Sequence, residues 1–145
     1  MHLKLTNGQP EIYSIGQLRR DNPNTSFPKA PSEALLADWG VYPYTRPDRP
    51  AYDPLTARVI DGAFEQDAGG NWSMPWVVEN VPQDEAEANV RAKRDRLLAE
   101  TDWIVIKAYE RNQNIPAEWE VYRQALRDIT TQAGFPYSVI WPTKP

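Results

Sequence analysis

The sequence predicts an α+β protein: a small, irregular, β-hairpin-rich N-terminal part, then an antiparallel αα-hairpin, then an apolar C-terminal tail. Eight of the fourteen prolines lie within residues 10–54. Each proline fixes φ and removes a hydrogen-bond donor, which disfavours long helices there. Residues 83–115 contain no proline and become charged and alanine-rich. We therefore predict a boundary near Pro82, between an N-terminal module (1–82) and a C-terminal module (83–145).

A first hairpin is predicted at the N-terminus. Leu3–Leu5 alternates apolar and polar residues, as a half-buried strand does. Asn7 and Gly8 follow, and this pair tolerates the positive φ angles of a two-residue hairpin turn. Ile12 and Tyr13 can then form the returning strand.

Two short helices are expected next. Ser14 can cap a helical turn over residues 15–20, and Ser32 can cap a helix over residues 34–38. Gly40 supplies the flexible residue on which that second helix can end.

A second hairpin is predicted after an irregular stretch. Residues 39–54 are rich in proline and are expected to be irregular and extended. Residues 57–65 and 72–80 then read as strands around turn-forming residues 67–71. Pro75 within the returning strand indicates an edge or a bulge.

The C-terminal module predicts two neighbouring helices. The first begins with the acidic residues after Pro82, which favour the positive end of a helix dipole, and ends near Arg111. Its apolar stripe contains Val90, Leu97, Thr101, Ile104 and Ala108. The second begins at Pro116 and ends before Gly134. Its stripe contains Trp119, Tyr122, Leu126 and Ile129. Because the connection is short, we expect an antiparallel αα-hairpin.

Composition excludes several classes of function. There is no cysteine, and His2 is the only histidine, so thiol chemistry, Fe–S clusters and multi-histidine metal sites are excluded. The net charge of −4 argues against nucleic acid as a partner. No apolar run is long enough to span a bilayer, and residues 1–10 do not resemble a secretory leader.

No arrangement of acids supports catalysis. Asp84, Glu85 and Glu87 cluster at a predicted helix start, where solvated acids complement the dipole. Residues 67–71 lack most ligands of a calcium loop. We therefore expect a protein that is not an enzyme and that uses no cofactor or metal.

The aromatic and arginine residues of the C-terminal module are the candidate binding residues, because Trp, Tyr and Arg carry most interface energy. They are Trp103, Trp119, Tyr122, Arg123, Arg127, Phe135, Tyr137 and Trp141. Core packing is the alternative for the aromatic residues, above all for Trp119 and Tyr122 on the apolar stripe. Arg123 and Arg127 could instead pair with Glu120 and Asp128 on the helix surface. The tail from Phe135 should pack on the helices or on a partner.

Three strings in the C-terminal module resemble the tail assembly chaperone family of tailed bacteriophages. They are Arg94–Trp103 (RDRLLAETDW), Ile115–Ile129 (IPAEWEVYRQALRDI) and Gly134–Pro145 (GFPYSVIWPTKP). The resemblance covers roughly residues 90–145. The N-terminal half, with YSIGQLRRDNPNTSFP and LLADWGVYP, also resembles the leader of phage members of this family.

The resemblance implies a non-enzymatic protein that binds tail fibre or tail-tip polypeptides and assists their folding or assembly. It implies a phage tail protein as partner and the host cytoplasm as the place of action. The alternative is a permanent virion component, an adaptor on the tail tip or tail fibre. Self-association into a homo-oligomer also stays open.

Overall fold

The computed structural model describes all residues, 1–145, and confirms a mixture of strands and helices. The seven strands are β1 (His2–Thr6), β2 (Gln9–Tyr13), β3 (Val41–Thr45), β4 (Ala57–Asp61), β5 (Glu65–Gln66), β6 (Trp72–Ser73) and β7 (Trp76–Asn80). The five α-helices are α1 (Ile15–Asp21), α2 (Glu33–Asp38), α3 (Gln83–Ala99), α4 (Asp102–Glu110) and α5 (Ala117–Arg127). A 3₁₀ turn over Asp128–Thr131 follows α5.

The chain divides into two compact units. The first contains Met1–Pro50 and Val59–Val77, and the second contains Ala51–Arg58 and Val78–Pro145. Residues 51–58 therefore lie with the helices, although the sequence alone assigns them to the N-terminal module. None of the helices combines the length and apolar character that a bilayer-spanning helix requires.

The first unit contains a five-stranded sheet in the order β2-β1-β3-β6-β5. β1 and β2 form the predicted hairpin, with Leu3 opposite Ile12. Asn7 and Gly8 both have positive φ, 53° and 79°, as a two-residue turn of this kind requires. The predicted first hairpin is confirmed.

Both predicted short helices are confirmed, with their caps. Ser14 accepts a hydrogen bond from the Gln17 N–H at the start of α1, and Ser32 accepts one from the Leu35 N–H at the start of α2. Gly40 follows α2 with a φ of 69°. One apolar cluster of the unit consists of Leu18, Leu36 and Val41 with partly buried neighbours.

The prediction of an irregular stretch over residues 39–54 is wrong in its first part. Val41–Thr45 is β3, which lies between β1 and β6 in the sheet. Pro43 is tolerated because β6 pairs only with Tyr44 and Thr45, so Pro43 faces a neighbour on one side only. Buried Leu3, Tyr44 and Met74 pack together around this strand.

The second predicted hairpin exists but is interrupted. β4 pairs with β7, while β5 pairs with β6 nearer the turn. Between the two pairs, the Gly62 N–H donates to the Pro75 carbonyl at 2.8 Å, and a Cβ on Gly62 would press on that same oxygen. The returning strand is therefore interrupted at Pro75, where the sequence predicts an edge or a bulge.

The second unit contains α3, α4 and α5, and here the prediction of two helices is wrong. The single helix expected from residue 83 to near Arg111 is interrupted at Glu100 and Thr101, so α3 and α4 are separate. The element is therefore not the simple two-helix hairpin of the sequence prediction. α3 packs against α5.

Both predicted apolar stripes nonetheless face the interior. Val90, Thr101 and Ile104 are buried in the first, and Leu126 and Ile129 are fully buried in the second. Two helix ends differ from prediction. Pro116 precedes α5 as its capping residue and not as its first helical residue. Gly134 does not end a helix, because α5 has already ended.

Candidate partner-binding surface

The site begins at the joint between α3 and α4. In an uninterrupted helix the Leu98 carbonyl would accept a hydrogen bond from the N–H of residue 102. Here it accepts instead from the Thr101 N–H at 3.0 Å, the Thr101 hydroxyl at 2.8 Å and an Arg123 guanidinium nitrogen at 2.9 Å. Side chains therefore replace the helical hydrogen bond, and the chain can change direction without leaving this carbonyl unsatisfied.

Arg123 of α5 stabilises this joint by hydrogen bonds. Its Nη1 donates to the Thr101 hydroxyl at 2.5 Å, and its Nη2 donates to the Asp102 carboxylate at 2.9 Å. Arg123 is only 8% exposed, and Thr101 is fully buried. Arg123 is thus occupied within the fold and offers no surface to a partner. The pairing proposed from sequence, with Glu120 or Asp128, is replaced by this pairing with Asp102.

The helix α4, which follows the joint, carries apolar side chains on two opposite sides. Ile104 and Ala108 point inward and are buried. Trp103, Ile106 and Tyr109 follow one another at three-residue intervals on the other side, which places them on one helix face. Their exposed fractions are 57%, 57% and 87%. We call these three residues the α4 outer face.

A groove adjoins the α4 outer face. Its cavity volume is about 230 Å³, and two of the predicted binding residues, Trp103 and Trp119, form part of its wall. The polar lining consists of Lys107, Arg111, Gln113 and Asn114. We call this the α4–α5 groove. The structure thus brings together two of the eight predicted residues on one accessible concave surface.

The remaining predicted residues of α5 divide between interior and surface. Tyr122 is buried and meets Trp119 edge to face, with ring centroids 6.0 Å apart. Burial raises the pKa of the Tyr122 hydroxyl, and the Glu100 carboxylate raises it further. Tyr122 therefore belongs to the core, the alternative left open by the sequence. Arg127 is exposed, one turn beyond Arg123.

The predicted tail residues pack against the second unit. The Arg91 guanidinium lies 5.2 Å from the centroid of the Phe135 ring, and Lys93 lies 4.2 Å from that of Trp141. The Tyr137 hydroxyl donates to the Val81 carbonyl at 2.8 Å. The tail therefore lies on its own chain, the first of the two alternatives that the sequence allowed.

Local backbone contacts hold the tail in place. The Gln132 side chain both donates to the Ile140 carbonyl and accepts from the Ile140 N–H. The Phe135–Pro136 peptide bond is cis, and a Cβ on Gly134 would overlap the Ser138 carbonyl oxygen. Glycine at position 134 is thus required by close approach.

The acidic clusters make local contacts. Glu87 bonds to Gln83 and Arg91, which hold its pKa below the usual range. Asp67 accepts from the side chain and backbone of Asn71, and these bonds lower its pKa. Nowhere do three His, Asp or Glu side chains converge in an arrangement that could hold a metal ion.

Sequence reasoning missed Ile106, Tyr109, Lys107 and Arg111. The signal for the first two is present in the sequence. Trp103, Ile106 and Tyr109 recur every third residue within a helix whose buried stripe is already complete without them. A helix with a second apolar stripe has surface left over for a partner.

Comparison with known families finds a match in the C-terminal part of the chain. Residues 87–145 match the family model described as phage tail assembly chaperone protein. The resemblance drawn from the three sequence strings is thereby confirmed for this segment, which includes α4, α5 and the tail. No curated protein and no solved structure matches the chain.

Proposed function

We propose, on the premise that residues 87–145 are a phage tail assembly chaperone segment, that this chain assists the folding and assembly of a tail fibre or tail-tip polypeptide. It does so by binding, without catalysis, in the host cytoplasm during phage assembly. The contact surface is the α4 outer face with the adjoining α4–α5 groove. This surface contains the three residues of the outer face and Trp119 of the groove wall.

The observation that carries the proposal is the exposure of Trp103, Ile106 and Tyr109 together on one helix face inside the family segment. Large apolar side chains that are grouped on a surface mark sites of protein interaction. Trp and Tyr are also the side chains that contribute most binding energy when an interface covers them. The face therefore has the composition of a binding surface.

The physical role follows from what an unassembled subunit exposes. A tail fibre chain presents apolar surface until it pairs with its own copies, and such surface aggregates. A helper that covers this surface with a few aromatic side chains protects it. A small contact area keeps the complex weak enough to dissociate when the subunit buries the same surface in its own assembly.

The α4 outer face also meets the requirement of rigidity. Arg123 donates hydrogen bonds to three groups of the α3–α4 joint: the Leu98 carbonyl, the Thr101 hydroxyl and the Asp102 carboxylate. The face is thus held in position before a partner arrives, which lowers the entropy lost on binding.

The test is co-expression of the tail fibre or tail-tip polypeptide of the same phage with and without this chain. We expect the wild-type chain to raise the soluble, oligomeric yield of the partner. The double variant Trp103→Ala/Tyr109→Ala should lose that effect, while Ile12→Ala, an exposed apolar change outside the family segment, should keep it. Equal partner yields with and without the chain would refute the proposal.

The second candidate, a permanent adaptor on the tail, differs in what the finished particle contains. Quantitative mass spectrometry of purified particles separates the two functions. A helper is absent or present far below the copy number of the tail proteins. An adaptor is present in a fixed ratio set by tail symmetry.

A further inference from the structure

The polar lining of the α4–α5 groove carries positive charge and no negative charge. Lys107 lies on α4, Arg111 follows the last residue of that helix, and the amides of Gln113 and Asn114 lie on the connection to α5. The lining includes no carboxylate. This local excess of positive charge and donors stands out in a chain whose net charge is −4.

These groups are available to a ligand. The Lys107 ammonium lies 5.7 Å from the centroid of the Trp103 ring, and neither Lys107 nor Arg111 forms an ion pair within the chain. Most arginines of α3 and α5 have carboxylate partners, as Arg91 has Glu87 and Arg123 has Asp102. The cations beside the two indoles are thus left without a carboxylate of their own.

The size of the groove limits what can occupy it. A pocket for a whole small-molecule ligand measures roughly 300–1,000 Å³. This groove, at about 230 Å³, is smaller, and its wall includes Trp103 of the α4 outer face. It suits one or two side chains of a peptide that continues along the helix surface.

We propose that the α4–α5 groove binds an acidic peptide segment of the partner polypeptide. An apolar side chain of that segment packs between Trp103 and Trp119, and an adjacent Asp or Glu pairs with Lys107 and Arg111. The complementary charges select acidic segments and disfavour basic ones, because a like charge placed beside these cations is repelled. This inference rests on the proposed function and names the chemistry of the partner.

The test uses a library of random twelve-residue peptides. Peptides that bind the full wild-type chain are selected, and a parallel selection uses the Lys107→Gln/Arg111→Gln variant. Against the wild-type chain we expect enrichment of peptides with Asp or Glu within a few positions of Trp, Phe or Leu. The best peptide is then compared with its twin, in which each acid is replaced by its amide. The twin should bind about tenfold more weakly, and the difference should shrink as salt is raised.

The control for net charge is Arg96→Gln/Lys144→Gln, which removes two exposed positive charges elsewhere in the same unit, both of them near the Glu100 carboxylate. This variant should keep the wild-type preference, whereas Lys107→Gln/Arg111→Gln should bind peptide and twin equally. Unfolding curves establish that both variants are folded.

Three results would each overturn the inference. They are enrichment of neutral or basic peptides or of none, a twin that binds as well as the acidic peptide, and a preference that survives Lys107→Gln/Arg111→Gln. The proposed function is judged separately, by the yield of the tail polypeptide with Trp103→Ala/Tyr109→Ala. Failure of one test therefore does not imply failure of the other.

Discussion

The Arg123 guanidinium donates a hydrogen bond to the Thr101 hydroxyl over 2.5 Å, although the two residues are 22 positions apart in the chain. This bond joins α5 to the point where α3 ends and α4 begins. It gives a structural reason for the Thr-Asp-Trp sequence at positions 101–103. The threonine and aspartate hold Arg123, and the tryptophan that follows is turned outward.

Replacing Arg123 by Met should lower the free energy of unfolding by about 2–4 kcal/mol, because buried acceptors at Leu98 and Thr101 lose their charged donor. Asp102→Asn should cost only about 0–1 kcal/mol, since the Asp102 side chain is more than half exposed and its ion pair is screened by solvent. Chemical denaturation of the variants measures both values.

The control for this prediction is Arg127→Met, one turn further along α5 and exposed. We expect a change within about 0.5 kcal/mol there. If Arg123→Met and Arg127→Met destabilised the protein equally, the joint would not depend on Arg123.

Trp119→Ala should mainly lower stability, whereas Trp103→Ala should mainly weaken partner binding. Trp119 is partly buried and packs on Tyr122, so we expect a loss of about 2–3 kcal/mol, less than the 3–5 kcal/mol of a fully buried tryptophan. Because Trp103 is 57% exposed, Trp103→Ala should lower the free energy of unfolding by less than about 1 kcal/mol. It should nevertheless weaken partner binding strongly. An unchanged melting temperature in Trp119→Ala would reassign Trp119 to the binding surface alone.

Deleting residues 135–145 should reduce both partner binding and the stability of the second unit. It removes the ring contacts with Arg91 and Lys93 and the hydrogen bond to Val81, for an expected loss of about 2 kcal/mol or more. Hydrogen exchange should accelerate in α3 and stay unchanged in β1–β3. Equal acceleration in both units would contradict the assignment of the tail to the second unit.

Alkaline pH should reveal the burial of Tyr122. Its pKa is raised in the folded protein, so the folded state holds the proton more tightly than the unfolded state does. The contribution of this proton to the free energy of unfolding is fully present below the pKa of about 10 that tyrosine has in the unfolded chain. It is lost as the pH rises through the pKa of the folded state. The unfolding midpoint should therefore fall less in Tyr122→Phe than in the wild type between pH 7 and about pH 10.5. If the unfolding midpoint fell equally in both proteins, the Tyr122 hydroxyl would not contribute to the pH dependence of stability.

The features that were predictable are those with local causes. Asn7 and Gly8 predicted the first hairpin because their positive φ angles are a property of the residues themselves. Ser14 and Ser32 predicted two helix starts because a cap needs only the next few N–H groups. The apolar stripe that contains Leu126 is likewise predicted by the helical spacing of its residues along the sequence.

The features that were missed depend on distant residues. The apolar stripe continues through Thr101 without a break, and threonine alone does not end a helix, so the joint could not be located without Arg123. The α4 outer face differs in this respect, because its signal is local: Trp103, Ile106 and Tyr109 recur every third residue outside the buried stripe.

The most direct test of the central claim is hydrogen–deuterium exchange of this chain alone and in complex with its tail fibre or tail-tip polypeptide. We predict that binding slows exchange most in residues 102–116, which contain α4 and the connection that lines the groove, and leaves β1 and β2 unchanged. Protection confined to the first unit, with α4 exchanging as in the free chain, would contradict the account.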